Sequence, residues 1–449
     1  MAHRLFGTDG VRGRAGAYPL DAPTVRRLGA ALIRALPAAA GAHRLLVGRD
    51  TRESGGWIAR ELAHGVRTAG GAIVSAGVIS TPAVAYLARE QAFDAGVVIS
   101  ASHNPFEDNG IKVFSGAGEK FTEHLERAVE AIVADPSWQV PAGEAAPLDD
   151  EDLSAPYLEH ARAALPAADR LAGLRIVVDC ANGATSVIAP RLLRELGFEL
   201  VTLGCEPDGR NINLDCGSTR PAAMARAVVE HGCRLGVAFD GDGDRAIFAD
   251  AQGAIVDGDG VLLLAARRLH ASGRLRGGAI VATIMSNVGL EIALKASGIG
   301  LVRCPVGDKH VMEELIARDL SLGGEQSGHV IFSDFLFTGD GLVTALSVLR
   351  VMAETGRELA DLAGELVTYP QVLLNVRVKE KRELGSIPEV AAVMGEVERR
   401  LDGRGRLVVR YSGTEPLLRV MIEGQDQRQI TDWAGEIAET VRRHLGEPA

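Results

Sequence analysis

One stretch of this 449-residue chain joins a short apolar run to a group of polar side chains: Gly96-Val97-Val98-Ile99-Ser100-Ala101-Ser102-His103-Asn104-Pro105. A continuous apolar run bounded by turn residues is typical of a strand buried on both faces, so we predict a strand over residues 96–99. Pro105 and the later pair Asn109-Gly110 predict a loop that continues to Lys112. This loop carries a hydroxyl, an imidazole and an ammonium group, and we expect Ser102 to carry a phosphoryl group.

The order of elements around this stretch occurs three times in the chain. In each copy a strand, a helix and a strand that begins after a glycine precede a further strand that opens into a polar, Gly-bearing loop. The three loops comprise residues 100–112, 240–245 and 323–329. Strands that alternate with helices predict α/β domains with largely parallel pairing, and such domains bind ligands beyond the carboxyl ends of their strands. We therefore expect the three loops to face one cleft.

Composition and pattern mark the domain boundaries. Residues 135–152 are rich in Pro, Ala and acidic residues, which is typical of a linker. After residue 369 the repeat gives way to three strands and two helices, which predict a smaller α+β domain. We predict three α/β domains over residues 1–150, 151–252 and 253–367, and an α+β domain over residues 368–449.

Composition also excludes several classes of protein. The formal net charge of −11 argues against a nucleic-acid or membrane-surface binding protein. The five cysteines form no C-x-x-C pair, which is typical of reduced thiols in the cytosol. The N-terminus lacks an apolar leader, and no apolar run is long enough to span a bilayer. We expect a cytoplasmic protein.

The second polar loop predicts a metal site. Asp240, Asp242 and Asp244 occupy alternate positions, and carboxylates this close repel one another unless a cation is bound. A solvated acidic turn is the alternative. A calcium EF-hand loop fails, because Arg245 and Ala251 stand where that loop requires Gly and Glu. Mg²⁺ fits better, since it takes few protein carboxylates and completes its shell with phosphate or water.

The residues alone leave two interpretations of Ser102 open. A loop serine is often a cap or turn residue, and its hydroxyl is a weak nucleophile without a base or a metal. Lys112 is a candidate base, and a bound metal would polarise a phosphoryl oxygen. His103 fits a base and a residue that fixes the loop by hydrogen bonds equally well. The chain has no Gly-x-Ser-x-Gly elbow around Ser102, which argues against an α/β-hydrolase.

Two further segments carry candidate binding groups. Glu325 and Ser327, in the loop that His329 closes, suit sugar hydroxyl or amine groups, with a plain polar turn as the alternative. The second segment is Arg410-Tyr411-Ser412-Gly413-Thr414-Glu415-Pro416, with Arg419 beyond it. Hydroxyls, consecutive backbone N–H groups and guanidinium groups all donate to phosphate, so this segment predicts an anion site rather than a simple hairpin turn.

Taken together, these motifs give the chain a resemblance to the α-D-phosphohexomutase family. The matching segments follow the family's order and span nearly the whole chain: Phe6–Gly13, Ile99–Lys112, Phe239–Arg245, Gly324–His329 and Arg410–Arg419. The resemblance implies three related α/β domains with mixed sheets around a cleft, and a smaller C-terminal α+β domain. It also implies an enzyme that transfers a phosphoryl group through a phosphoserine.

The resemblance assigns roles to particular residues. It implies that Ser102 is the phosphoserine and that one Mg²⁺ per subunit is held by a phosphoserine oxygen with Asp240, Asp242 and Asp244. Residues that line the transfer site would be Arg12, His103, Lys112 and Arg245. Sugar hydroxyls would be bound by Glu325 and Ser327, and substrate recognition would involve Lys309 and His329. The non-reacting phosphate would be held by Arg410, Ser412, Gly413, Thr414 and Arg419.

The substrate follows from narrower similarities. Gln326 and the opening Phe6–Gly13 resemble the glucosamine branch of the family, whereas Phe106 departs from the tyrosine often found there. This implies interconversion of glucosamine 6-phosphate and glucosamine 1-phosphate through a 1,6-bisphosphate that is both intermediate and activator, feeding amino-sugar nucleotide and cell-wall precursor synthesis. The alternatives are a phosphoglucomutase/phosphomannomutase, a Mg²⁺-dependent sugar phosphatase and a metal-binding module. For partners we expect a small sugar phosphate, with no nucleic acid and no membrane, and the resemblance allows a homodimer.

Overall fold

The computed structural model describes residues 5–7, 9–37, 41–143, 145–412 and 416–446. The chain forms two compact bodies. The larger body comprises Met1–Met285 and Ile299–Gly364, and the smaller body comprises Ser286–Gly298 and Glu365–Ala449. Among the described residues, no helix is both long and apolar enough to cross a bilayer.

The first α/β segment of the larger body contains five strands and four helices within its described residues. In chain order these are β1 (Val11–Arg14), α1 (Ala22–Ala35), β2 (Arg44–Arg49), α2 (Gly55–Thr68), β3 (Ala72–Val78), α3 (Thr81–Glu90), β4 (Ala95–Ile99), β5 (Asp108–Ser115) and α4 (Glu123–Ala134). The strand order is β1-β5-β4-β2-β3. Every residue of β4 is buried, which explains its unbroken apolar sequence.

The second α/β segment repeats this plan with fewer helices. Its elements are α5 (Ser154–Arg162), β6 (Arg175–Asp179), α6 (Ile188–Glu195), β7 (Glu199–Leu203), α7 (Ala222–Glu230), β8 (Leu235–Phe239), β9 (Ala246–Asp250) and β10 (Ile255–Val256). The strand order is β10-β9-β8-β6-β7.

The third sheet has four strands in the order β12-β11-β13-β14. The elements of this part of the chain are α8 (Gly258–Ala271), β11 (Ala279–Thr283), α9 (Val288–Ala296), β12 (Gly300–Cys304), α10 (Asp308–Arg318), β13 (Leu322–Gly324), β14 (Val330–Phe332), α11 (Gly341–Thr355) and α12 (Leu359–Ala363). All of them belong to the larger body except α9, which packs with the smaller body.

The three sheets share one strand arrangement. In each, a central strand (β2, β6 or β11) lies parallel to the strand that follows it and to a third strand (β4, β8 or β13), and the third strand pairs with an antiparallel neighbour. This confirms the prediction of three related α/β domains with mixed sheets. The polar loops follow the third strand of each sheet, so they occupy equivalent positions at the carboxyl ends of parallel strands.

The loop predicted over residues 100–112 is shorter than expected, and this prediction was wrong at its end. Residues 108–115 form β5, in which Ile111 pairs with Ile99 and Lys112 pairs with Val98. Gly110 does not mark a turn: its N–H donates to the Asn109 side chain, and a Cβ there would lie 2.5 Å from the Ser100 carbonyl oxygen. Glycine is needed at this position because the backbone of Ser100 lies too close for a side chain. The loop itself ends at residue 107.

The smaller body is an antiparallel sheet covered by helices. Its elements, besides α9, are β15 (Gln371–Arg377), α13 (Pro388–Leu401), β16 (Arg406–Tyr411), β17 (Leu417–Glu423) and α14 (Gln427–Leu445). The strand order is β15-β17-β16, and apolar residues of β17, α13 and α14 form its core. Helix α9 is tied to this body by reciprocal bonds between the Asn287 side chain and the Tyr369 backbone, each 3.0 Å long. These elements confirm the predicted smaller α+β domain.

Asp340 caps α11 in the larger body. Its Oδ1 accepts hydrogen bonds from the Val343 N–H and the Tyr157 hydroxyl, both at 3.0 Å. The side chain is 3 % exposed, and burial raises the pKa of this carboxyl to about 6. A raised folded-state pKa means that this group contributes less stability as the pH rises from about 4 to about 6.

We expect Asp340→Asn to stabilise the protein at pH 7.5, because the amide keeps an acceptor for both hydrogen bonds and removes a buried charge. The gain is on the order of 1–3 kcal/mol and shrinks when the pH falls below 5. Chemical unfolding at both pH values measures it. Asp426→Asn, at the exposed cap of α14, is the matched control and should show no such pH-dependent gain. A loss of stability in Asp340→Asn at pH 7.5 that persists at pH 5 would contradict this account.

Candidate active site

Ser102 lies in the short loop between β4 and β5 and is 1 % exposed. Its φ of 51° is in the left-handed region, which non-glycine residues adopt at an energetic cost. Its hydroxyl donates a 2.6 Å hydrogen bond to Asp240 Oδ2, which follows β8 in the second sheet. The first and second predicted loops therefore meet at this hydroxyl.

The loop after β8 gathers three buried carboxylates. One ligand atom from each of Asp240, Asp242 and Asp244 lies within 4.8 Å of the others. Two buried oxygens, Asp242 Oδ1 and Asp244 Oδ1, form no hydrogen bond within the described part of the chain. Oxygen-only ligands with free lone pairs, set beside a nucleophile, fit a hard divalent cation. These three carboxylates therefore fit the predicted Mg²⁺.

Positive groups surround these carboxylates. Lys112 Nζ, reached from β5, lies 2.9 Å from Asp242 Oδ2, 3.4 Å from Asp244 Oδ2 and 3.1 Å from Asp9 Oδ2. Burial by itself lowers the pKa of Lys112. The three carboxylates, of which Asp242 has the largest effect, outweigh it and hold this pKa well above its ordinary value. Thr81, at the N-terminus of α3, donates its hydroxyl to Asp242 at 2.5 Å. The positive end of the α3 dipole adds to this compensation.

The pKa values of the carboxylates respond unequally to this environment. Burial, and then the charges of Asp244 and Asp242, raise the pKa of Asp240 well above its ordinary value. Burial also acts on Asp244, but Lys112 and His329 hold its pKa well below the ordinary value. Three carboxylates with these neighbours cannot all carry a full charge at low cost without a further cation.

A cavity of about 590 Å³ in the larger body is lined by His103, the residue after Ser102, and by Asp244 of the carboxylate triad. Arg12, His103, Arg245 and Glu325 all line it, so the structure brings these four predicted residues to one cavity. Residues from the N-terminal segment and from all three polar loops contribute to the cavity. This common cavity agrees with the expectation that the three loops face one cleft.

His103 occupies a bridging position in this cavity. Its Nδ1 lies 3.4 Å from Ser102 Oγ and 3.3 Å from Arg245 Nη1. Partial burial, then Arg245 and Arg12, lower the pKa of its imidazole. A neutral imidazole within reach of the serine hydroxyl is suited to accept a proton.

Three other predicted residues of the larger body, Ser327, Lys309 and His329, do not line this cavity. Ser327 is exposed, and Lys309 Nζ donates to Glu126 Oε2 at 3.0 Å. His329 is buried behind the metal-ligand loop, where its Nδ1 is 3.6 Å from Asp244 Oδ1 and its Nε2 accepts the Gly339 N–H at 3.0 Å. In the smaller body, Arg410 and Arg419 occupy directly opposite positions on β16 and β17.

The end of the predicted anion segment is only partly described. Ser412 is buried, with its N–H donating to the Leu417 carbonyl at 2.8 Å and its carbonyl accepting from Lys381 Nζ at 2.6 Å. Gly413 and Thr414 lie outside the described residues. Their predicted role in holding phosphate stays a prediction.

Sequence reasoning missed an ion-pair network that links Lys120 to three residues of the cavity lining, Asp9, Arg12 and Asp308. Lys120 Nζ lies 2.6 Å from Asp9 Oδ1 and also pairs with Asp308, while Asp9 in turn pairs with Arg12. Lys120 follows β5, Asp9 precedes β1 and Asp308 begins α10, so the network joins the first and third α/β segments. Asp9 stands inside the Phe6–Gly13 segment that the sequence analysis singled out, and Asp308 is the neighbour of the predicted Lys309, but Lys120 carries no local signal.

Comparison with known proteins places the chain in a family of four-domain enzymes. Family models described as phosphoglucomutase/phosphomannomutase alpha/beta/alpha domains I, II and III match residues 3–139, 155–253 and 257–369. The model of the C-terminal domain matches residues 373–440. The chain therefore belongs to the phosphoglucomutase/phosphomannomutase family.

Full-length relatives narrow the similarity within that family. Curated proteins named phosphoglucosamine mutase from Solibacter usitatus and Syntrophotalea carbinolica are 48 % and 45 % identical to this chain. The first match covers 100 % of both chains and the second covers 99 % of both. The relatives thus carry the name of the glucosamine branch that Gln326 indicated.

Solved structures share the fold at lower identity. A putative phosphomannomutase from Thermus thermophilus superimposes with a TM-score of 0.79 at 24 % identity, over 98 % of this chain and 100 % of that one. An N-acetylphosphoglucosamine mutase from Aspergillus fumigatus, solved with GlcNAc-6P and magnesium, gives 0.65 at 19 % identity, over 98 % and 95 %. These likenesses support the architecture described above.

The acidic triad makes metal binding testable without any assay of activity. We expect the wild-type protein to bind one Mg²⁺ per chain in isothermal titration calorimetry. Asp240→Asn should weaken binding at least about tenfold, because it removes one of three carboxylate charges from the site. Glu206→Gln, an exposed acid in the same α/β segment, is the control and should bind as the wild type does. Equal affinity in Asp240→Asn and the wild type would rule out this triad as the metal site.

Proposed function

We propose that this chain is an isomerase that interconverts glucosamine 6-phosphate and glucosamine 1-phosphate through a phosphoserine at Ser102. The observation that carries the proposal is the 2.6 Å contact between the Ser102 hydroxyl and a triad of buried carboxylates, beside a cavity lined by arginines. Full-length relatives named phosphoglucosamine mutase support the same reaction.

The proposed reaction has two phosphoryl transfers. Phospho-Ser102 gives its phosphoryl group to the C1 hydroxyl of glucosamine 6-phosphate, and the sugar hydroxyl loses its proton to a base. The Ser102 oxygen takes up a proton as the phosphoryl group leaves it, and the resulting 1,6-bisphosphate then turns around. In the second transfer Ser102 accepts the C6 phosphoryl group and loses its hydroxyl proton, and the C6 oxygen gains a proton. Glucosamine 1-phosphate is released, and the phosphoserine is regenerated.

We assign the charge and proton roles from geometry. Arg12 and Arg245 face the cavity, and their guanidinium groups would stabilise charge on the transferred phosphoryl group. His103 is the better candidate to move the proton, because its Nδ1 lies 3.4 Å from Ser102 Oγ. Lys112 is engaged by Asp9, Asp242 and Asp244, so we give it an electrostatic role.

The metal-ligand loop would hold Mg²⁺ through Asp240, Asp242 and Asp244, together with an oxygen of phospho-Ser102. When bound, Mg²⁺ supplies positive charge that neutralises the phosphoryl group. The low exposure of Ser102 helps the phosphoserine to resist hydrolysis, because the surrounding residues exclude water.

Recognition of the rest of the substrate uses other groups. We propose that Glu325 binds sugar hydroxyls from the cavity wall, with Ser327, Lys309 and His329 as additional groups. Arg410 and Arg419, opposite each other in the register of β16 and β17, present two guanidinium groups on one face, which suits a phosphate. A cytoplasmic location and a homodimer stay predictions of the sequence.

Ser102→Ala should abolish turnover, because no hydroxyl remains to carry the phosphoryl group. We expect kcat to fall by at least about 10³-fold in a coupled assay of glucosamine 1-phosphate formation. Ser137→Ala, an exposed serine in the same α/β segment, is the control and should keep wild-type kcat. Wild-type turnover by Ser102→Ala would overturn the phosphoserine mechanism.

Substrate preference separates this proposal from its nearest alternative. We expect kcat/KM to be higher for glucosamine 1-phosphate than for glucose 1-phosphate or mannose 1-phosphate, each assayed as sole substrate. A clear preference for glucose 1-phosphate would instead assign the chain to phosphoglucomutase chemistry. Release of inorganic phosphate at the rate of isomerisation would identify a phosphatase.

A further inference from the structure

The main chain of the serine loop is held from two sides by side chains that the proposed reaction does not use: the buried Arg52 and the half-buried Asn213. We propose that Arg52 and Asn213 are positioning residues that clamp the carbonyl of Ser102 and so keep its side chain aimed at the metal-ligand triad. This inference rests on the proposed function and extends it to residues that neither touch substrate nor bind the metal.

Arg52 grips the loop from within the first α/β segment. Its side chain has no exposed surface. Its Nη2 donates to the Ser102 carbonyl at 3.0 Å and to the Asn104 carbonyl at 2.8 Å, and its Nη1 donates to the Pro105 carbonyl. One planar guanidinium thus holds three carbonyls of the same loop in a fixed geometry, which a lysine ammonium cannot do.

Asp50 fixes both the arginine and the start of the loop. Its Oδ2 accepts hydrogen bonds from Arg52 Nε at 2.9 Å and from the Ser100 hydroxyl at 2.5 Å. The Ser100 oxygen in turn accepts the Ser102 N–H at 2.9 Å. The N–H and the carbonyl of Ser102 are therefore both tied to a single buried Asp50–Arg52 pair.

Asn213 grips the same carbonyl from the second α/β segment. Its Nδ2 donates to the Ser102 carbonyl at 2.9 Å and to the Asn104 carbonyl at 3.2 Å. Its own N–H donates to the Ala181 carbonyl at 2.9 Å, which ties it to the segment after β6. The metal-ligand loop packs against this contact, because a Cβ on Gly241 would lie 2.5 Å from the Ser102 oxygen and 2.9 Å from Asn213 Nδ2.

The contacts from Arg52 and Asn213 oppose two effects that would move Ser102 away from the triad. A left-handed serine relaxes to a commoner conformation unless its surroundings hold it. In addition, phosphorylation adds a charge of about −1.5 to −2 beside three carboxylates, and while no cation is bound this repulsion pushes the side chain away from the triad. Main-chain anchors on Ser102 hold the loop in both the free and the phosphorylated state. Their loss should slow phosphoryl transfer and let water reach the phosphoserine, with little effect on substrate binding.

The test replaces the clamp amide without disturbing the backbone. Asn213 and Asp215 lie on the same loop with φ of 60° and 53°, and glycine tolerates both conformations. Asn213→Gly removes the hydrogen bonds to the serine loop, whereas Asp215→Gly alters an exposed residue. For each variant we would measure kcat, KM and the rate at which phosphorylated enzyme loses its phosphate to water.

We expect Asn213→Gly to lower kcat about tenfold, to leave KM within about twofold and to shorten the lifetime of the phosphoenzyme several-fold, while Asp215→Gly matches the wild type. Arg52→Lys should lower kcat further, since it keeps the positive charge but loses the planar guanidinium that donates to three carbonyls. Equal kcat and phosphoenzyme lifetime in the two glycine variants would overturn the proposal, even if Arg52→Lys fails to fold. A wild-type enzyme that never carries phosphate on Ser102 would instead refute the proposed function.

Discussion

The structure depends on how three carboxylates from one loop are kept buried next to a serine hydroxyl. Asp240, Asp242 and Asp244 are each at most 3 % exposed. Burying several unpaired charges together is costly, so compensation has to come from elsewhere in the fold. Lys112 from β5, the N-terminus of α3 and Arg245 supply part of it, and the free oxygens of the triad leave room for a cation.

The repeated sheet explains how these groups converge. Each of the three sheets ends its third strand in a polar loop, and parallel strands direct their carboxyl ends to the same edge. The first loop brings the nucleophile, the second the carboxylates and the third a group suited to sugar. Lys120 joins the first and third α/β segments through Asp9 and Asp308, two residues that line the cavity.

Local pattern was enough to predict the repeat and a metal site at the alternating aspartates, whereas for Ser102 the residues alone left two interpretations open and the family resemblance assigned its role. Local pattern failed at Asn109-Gly110, where the glycine makes space for the Ser100 carbonyl inside a strand, and sequence alone does not distinguish this need from a turn. Arg52 and Asn213 were missed for another reason. Both side chains donate to the carbonyl of Ser102, which lies 50 and 111 positions away from them in the chain. No local sequence pattern predicts a hydrogen bond between a polar side chain and a backbone carbonyl so far away.

In the proposed reaction Ser102 carries the phosphoryl group between the two transfers, and mass spectrometry can follow that group on the enzyme. Intact-mass measurement and peptide mapping would follow the purified enzyme after incubation with glucosamine 1,6-bisphosphate, and again after addition of the enzyme's monophosphate substrate. We expect a single phosphate on the Ser102 peptide, which is lost when the monophosphate is added. Isomerisation that proceeds while the Ser102 peptide stays unmodified, or with the phosphate on another residue, would contradict it.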